Sequence, residues 1–150
     1  MSHMLSDVLE KELKGLRPEL SEEVLEGLLR DLSPSEDLPS EVRRAQEEIV
    51  IELALSLFDL RLGRTIEGDE VVGLDSQIFG IVRKLRELYA KLLSGQLLYS
   101  KGRILCRLEK NLVMDGKDLS KGDLLLVEVG IAFPLVSAGY LTPYSSTTVN

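Results

Sequence analysis

The side chains best suited to chemistry are few. The 150-residue chain has one histidine and one cysteine. The histidine is His3, inside Met1-Ser2-His3-Met4, a stretch that reads as a vector-derived junction ahead of a native start at Met4. On that reading the native chain has no imidazole. It then lacks an imidazole general base, a Ser-His or Cys-His nucleophile pair and a histidine metal ligand. A lone cysteine excludes an intrachain disulfide and a cysteine-rich zinc site. Cys106 falls at an apolar strand position, where a thiol serves as a small buried hydrophobe. The glycines form neither a phosphate-binding loop nor a nucleophile elbow. Glu67, Asp69 and Glu70 gather beside Gly68 and Gly73 and carry oxygen ligands for a weak divalent-cation site; the expected state is a solvated acidic loop. Neither catalytic residue nor cofactor nor bound metal is expected, and a metal enzyme built on that acidic loop is the weakest reading.

The basic residues suggest contacts rather than catalysis. Arg61 and Arg64 stand three apart on one helix face, placed to bridge carboxylates of a partner helix or phosphate, or to complement a helix C-terminus. Arg83, Lys84, Arg86 and Lys91 read as the wet face of another helix. Arg103, Arg107, Lys110 and Lys117 fall in the C-terminal part. If they share one face, they support the alternative function, a small β-domain that binds nucleic acid with a steep salt dependence. Aromatic residues do not interleave closely with them, as a stacking surface for single strands would require.

The elements that must hold these residues follow from charge and periodicity. Net charge is −7, with 25 acidic against 18 basic side chains. Residues 1–60 carry 15 acidic and 6 basic side chains, so their −9 exceeds the total and the rest is nearly neutral. Such a chain does not coat DNA through its net field. Helical spacing marks Leu5 to Leu13, stopped by Gly15 and Pro18. A second helix starts after Ser21, a good cap before Glu22 and Glu23. Residues 33–39 read as a loop. A long helix, about 41–66 and capped by Ser40, is apolar on most sides between Ile49 and Leu62, as in helices buried on more than one face. Asp75 or Ser76 caps a fourth helix with a clean stripe of Ile78, Val82, Leu85, Leu88, Tyr89 and Leu92.

After Gly95 the period becomes two. Ile104, Cys106 and Leu108 alternate with Arg103, Arg107 and Glu109. Asp115-Gly116 is a strong hairpin signal, because a type I′ turn needs positive φ at both central residues. A Ser120–Asp123 turn leads to a strand over 124–129, a short helix over 131–138 and a last strand at 140–142. The expected fold is α+β, an N-terminal helical bundle domain followed by a small β-rich domain. The divisions are a helical domain at 4–94, a linker at 95–102, the small β-domain at 103–144 and a disordered tail at 145–150. With no basic start before an apolar core, and no unbroken apolar run of about 20 residues, the expectation is a cytoplasmic protein without a membrane anchor.

Two segments resemble subunits of the GINS replication complex. Ala45 to Ile66 resembles the long apolar central helix of that family, which ends in an Arg-Leu-x-Arg/Lys-Ile-like phrase, here Arg61-Leu62-Gly63-Arg64-Thr65-Ile66. Gly63 and the inserted Thr65 depart from it and suggest a loosened or shifted helix end. Lys121 to Tyr144 looks like the family's small β-domain, matched at Lys121, Gly122, Asp123, Ile131, Ala132, Leu135 and Gly139. The usual Pro-rich lead-in to the short helix is replaced by Val129-Gly130. The order of the two parts is similar to the GINS type with the helical domain first, and the short chain looks archaeal.

The resemblance implies a non-catalytic scaffold in replication at the nucleoid. It implies assembly with itself and a second GINS-like subunit into a tetramer. It also implies bridging of the MCM helicase to a RecJ-like, nuclease-related protein, with DNA contact mostly indirect. The subunit interface expected from the long helix is Ile49, Leu53, Leu57, Phe58, Leu60, Arg61, Leu62, Arg64 and Ile66. The recruiting residues expected in the small domain are Lys121, Asp123, Phe133, Leu135 and Tyr140.

Overall fold

The computed structural model describes residues 3–32 and 37–146. Four helices come first: α1 (His3–Leu13), α2 (Glu22–Asp31), α3 (Ser40–Ile66) and α4 (Ser76–Leu93). Strands β1 (Tyr99–Ser100), β2 (Arg103–Leu108), β3 (Leu112–Met114), β4 (Lys117–Leu119) and β5 (Leu124–Glu128) follow, then α5 (Val129–Ser137) and β6 (Leu141–Pro143). The α+β arrangement, helices first and a small antiparallel sheet after them, is the expected one. The chain divides into two compact units at Phe79/Gly80, within α4.

In the first unit, α1 ends as Gly15 and Pro18 dictate. Ser21 caps α2 by accepting the Val24 N–H at 3.2 Å. Ser40 does not cap α3. The N-cap is Pro39, which makes no side-chain cap bond, and Ser40 is already helical. The helix runs unbroken through Gly63 and Thr65 to Ile66, so the two departures do not loosen its end. Thr65 fits because its hydroxyl donates back to the Arg61 carbonyl at 3.1 Å. The core joins Leu5 and Val8 of α1, Leu28 of α2 and Leu57 of α3, with Val50 and Leu53 against it. Phe58 and Phe79 stack with ring centroids 5.2 Å apart.

The loop after α3 returns to pair with the segment before α2. Leu74 N–H donates to the Leu20 carbonyl at 2.8 Å, beside a parallel bridge between Leu20 and Gly73. Gly73 has φ +135°, and a Cβ there would lie 2.5 Å from the Leu20 carbonyl oxygen.

In the second unit β2 is central. It pairs antiparallel with β5 along one edge and with β1 and β6 along the other. Ile104, Cys106 and Leu108 are fully buried, as the alternation requires. They pack with Leu88 of α4, Val127 of β5, and Ala132 and Val136 of α5. Segment 95–102, expected as a linker, carries β1 and the buried Leu97, whose neighbour Leu98 donates to the Tyr144 carbonyl at 3.2 Å. The short helix begins at Val129 and holds Pro134 inside it. β3 and β4 form a separate hairpin around Asp115 (φ 51°) and Gly116 (φ 75°), the positive pair that a type I′ turn needs. In the expected tail, Ser146 is held by the Gln96 and Gly95 carbonyls. Residues 147–150 of that tail, and 33–36 of the expected loop, lie outside the described residues.

Two outcomes follow. Gly73→Ala combines backbone strain with a clash on Leu20, and should lower stability by about 2 kcal/mol or more in urea unfolding. Burial pushes the Cys106 thiol up to about 11 from its ordinary 9.0. Iodoacetamide at pH 8 should therefore label the native thiol far more slowly than the unfolded one. Because the folded state holds this proton more tightly, that contribution is complete below the unfolded pKa and fades between about pH 9 and 11.

Candidate assembly and recruitment surfaces

The expected interface residues separate into an inner and an outer group. Arg61 is 1% exposed and lies wholly inside the first unit. Its Nε and Nη2 grip the Asp75 carboxylate as a fork, at 2.6 and 2.8 Å. Nη1 donates to Glu12 Oε2 at 3.4 Å and to the Pro18 carbonyl at 2.9 Å, and Nη2 also to the Val72 carbonyl at 3.1 Å. A guanidinium has five N–H donors, and all are used. Arg64 donates to the other Glu12 oxygen at 2.8 Å and to the Glu70 carbonyl at 3.1 Å. Its buried Nε has no hydrogen-bond partner. Two arginines and two carboxylates thus make a neutral buried quartet that ties α1, the loop after it and the start of α4 to α3. Asp75 stands just before α4, but its carboxylate serves Arg61, and its carbonyl accepts the Phe79 N–H.

The arginines bridge carboxylates of their own chain, so neither a partner helix nor phosphate is needed to explain them. Leu57 is also buried, and Leu53 packs on the same core. What remains outside is a different stripe. Ile51, Leu55, Phe58 and Ile66 are exposed and Leu62 is half-buried. Their spacing of four, three, four and four places them on one helix face. Ile49 is exposed on another side and Leu60 is half-buried. The sequence reading missed the weight of Ile51 and Leu55, because a helix apolar all round does not reveal which face its own chain covers. The signal was the buried charge: Arg61 fixes the inner face, and the outer stripe follows by rotation.

In the small domain the expected recruiting residues mostly have local duties. The Asp123 carboxylate accepts the Ser120 N–H at 2.9 Å, and Lys121 N–H donates to Asn111 Oδ1 at 2.9 Å. Phe133 and Leu135 pack against the core. The Tyr140 ring lies under Lys110 Nζ, 5.0 Å from its centroid. Glu109 is a surface hub. Hydrogen bonds from Thr142 first and Arg107 second hold its carboxyl below the ordinary range. Leu124 and Leu126, both exposed, were not singled out, because the unbroken apolar run over 124–127 hides the alternation.

Of the basic residues of the nucleic-acid reading, Arg103 and Arg107 share the outer face of β2, where Arg107 is bound to Glu109 and Arg103 stands opposite Glu128 in the ladder; Lys110 covers Tyr140, and Lys117 belongs to the separate hairpin. In the acidic loop, Asp69 is drawn to Arg17 at 3.1 Å. Among the described residues, no cluster of three or more acidic, cysteine or histidine side chains is placed to hold a metal ion, and no helix is long and apolar enough to cross a membrane.

A helical unit followed by a small antiparallel β-domain with an appended helix defines the class of the chain. Within it, residues 95–145 match the family model for the C-terminal domain of Gins15, a component of the GINS complex. That segment spans about a third of the chain, and the helices-first order agrees with the GINS type expected from the sequence. No curated protein and no solved structure gave a significant match.

Removing the guanidinium tests the quartet. Arg61→Met leaves the Asp75 carboxylate uncompensated and Glu12 with Arg64 alone, and should cost about 3–5 kcal/mol in urea unfolding. Arg61→Lys keeps the charge but not the fork, and should fall between. Adding Asp75→Asn to Arg61→Met should recover part of the loss; no recovery would mean that lost packing, not charge, sets the cost.

Proposed function

We propose that this chain is a non-catalytic subunit of a GINS-type DNA replication complex. The match of residues 95–145 to the Gins15 C-terminal domain carries the proposal. The helical domain, taken as residues 4–94, is the assembly part. Its contact surface is the outer α3 stripe of Ile51, Leu55, Phe58, Leu62 and Ile66, with Arg61, Arg64, Leu53 and Leu57 acting behind it to hold the helix in place. Exposed apolar residues in a row along a helix are the usual mark of an unmet partner surface. The proposed partners on this side are further copies of the chain and a second GINS-like subunit, in a tetramer.

The small domain is the recruiting part, with Lys121 and the exposed β5 leucines its available residues. We place it between the MCM helicase and a RecJ-like, nuclease-related protein, with DNA reached mainly through them. The acidic first 60 residues suit basic protein surfaces better than a phosphate backbone. A replication role places the protein at the nucleoid.

Two measurements test this. Co-purification from the native host should recover a second GINS-like subunit or MCM; recovery of neither overturns the complex. Light scattering should show an oligomer, alone or with that second subunit. Ile51→Glu with Leu55→Glu should return it to monomers with little change in unfolding midpoint, since both side chains already face solvent. An oligomer untouched by this pair would place the interface elsewhere.

A further inference from the structure

The junction between α4 and the small sheet lies within the second unit and is closed from two sides. On the helix side, Gly95 takes φ +74°, and its N–H donates to the Leu92 carbonyl at 3.2 Å. The Gln96 N–H donates to the Lys91 carbonyl at 2.9 Å. These two bonds complete the end of α4 without help from elsewhere. They leave the Gly95 and Gln96 carbonyls outside the helix, and the residues after β6 take both. The Ser146 hydroxyl donates to the Gly95 carbonyl at 2.6 Å, and Ser146 N–H to the Gln96 carbonyl at 2.8 Å. Leu97 and Ser145 form an antiparallel bridge, and Leu98 N–H donates to the Tyr144 carbonyl at 3.2 Å. Residues 144–146 thus run antiparallel over 96–98.

The two halves of this pair are held differently. Leu97 is buried, in one core with Leu88 of α4 and Ile104, Cys106 and Leu141 of the sheet. Residues 144–146 bury no side chain fully: Tyr144 and Ser145 are half-buried and Ser146 is exposed. Their root is firm, because Tyr144 N–H donates to the Leu105 carbonyl at 2.9 Å and Leu141 of β6 is buried. Beyond the root they depend on hydrogen bonds near the surface, where water competes for each group. A segment so held opens at the low end of local stability, while the core beneath stays closed.

We propose that residues 144–146 are a strap that closes over this junction and sets the angular freedom of the small domain on α4. Closed, the strap makes 96–98 a paired segment, and directional hydrogen bonds fix the sheet against the end of the helix. Open, it leaves the sheet held to α4 by apolar contact, chiefly through Leu88 and Leu97. Apolar contact has no preferred direction, so 95–98 then works as a hinge. A partner that binds the small domain better in its freed arrangement draws the strap open. This rests on the reading of the small domain as a recruiting module, and it supplies a control on that module.

The test uses the full chain and Ser146→Pro, which removes both the N–H and the hydroxyl that close the strap. In amide hydrogen exchange, Leu98 should exchange about tenfold faster in the variant. Leu108, whose N–H donates to the Asp123 carbonyl on the β5 side, should not change. Spin labels on Lys84→Cys in α4 and Lys121→Cys in the small domain, both exposed positions, read the freedom itself. Cys106 is buried and does not compete for label. The distance distribution should be narrow in the parent chain and clearly wider with Ser146→Pro. Ser146→Ala removes the hydroxyl alone; it should give a smaller shift of the same kind, and it carries the test should proline disturb the fold.

Equal speeding at Leu98 and Leu108 would mean that the sheet loosens as a whole, and overturns the proposal. So does an unchanged Leu98, or a distance distribution as narrow in the variants as in the parent chain. Neither readout needs a GINS partner, so failure here is separable from failure of the complex.

Discussion

A single guanidinium organises the first unit. Arg61 projects from the last turns of α3 and spends its five N–H groups on four residues: Glu12, Pro18, Val72 and, twice, Asp75. Two of these acceptors are carbonyls in loops, whose backbone groups would otherwise be short of partners. An apolar side chain at position 61 would bury comparable area, leave both carbonyls and the Asp75 carboxylate unmet, and leave Glu12 to Arg64 alone. The rotation of α3 about its axis is set by this requirement. With Arg61 inward, Leu57 and Leu53 must also face inward, and the stripe from Ile51 to Ile66 must face out. The exposed apolar row on α3 is thus a consequence of where one charge is buried.

The small domain uses a different principle. It has no buried ion pair among the described residues and rests on the apolar layer of β2, α5 and the last turns of α4. Polar contacts are kept to its surface, around Glu109 and at the Ser120–Asp123 turn. Charge fixes one unit and apolar alternation the other. That difference explains why the first unit has its exposed apolar row on a helix, and the second at a strand edge.

Much of this was legible in sequence, for identifiable reasons. Period-two spacing placed Ile104, Cys106 and Leu108 inside, and Asp115-Gly116 placed the hairpin, because both signals act over a few residues. Ser21 capped as expected, while Ser40 did not, since a cap needs only an adjacent extended residue and Pro39 supplies it. The destiny of Arg61 and Arg64 was not legible. Their acceptors, Glu12 and Asp75, lie 49 and 14 residues from Arg61 in sequence, and no local pattern links them. The bonds from Ser146 to the junction after α4 were hidden for the same reason, since its acceptor Gly95 lies 51 residues back in sequence.

The placement of the acidic residues has one more consequence. The quartet around Arg61 is neutral and buried, so dissolved ions barely reach it. The −9 of residues 1–60 lies mainly on the surface of the part that carries the apolar α3 stripe. Two such parts repel one another across water, and ions weaken that repulsion while leaving the apolar attraction in place. In the proposed assembly, contact between two such parts would run against ordinary electrostatic steering: it would strengthen as ionic strength rises, and a partner with compensating positive charge would do at low salt what the salt does alone.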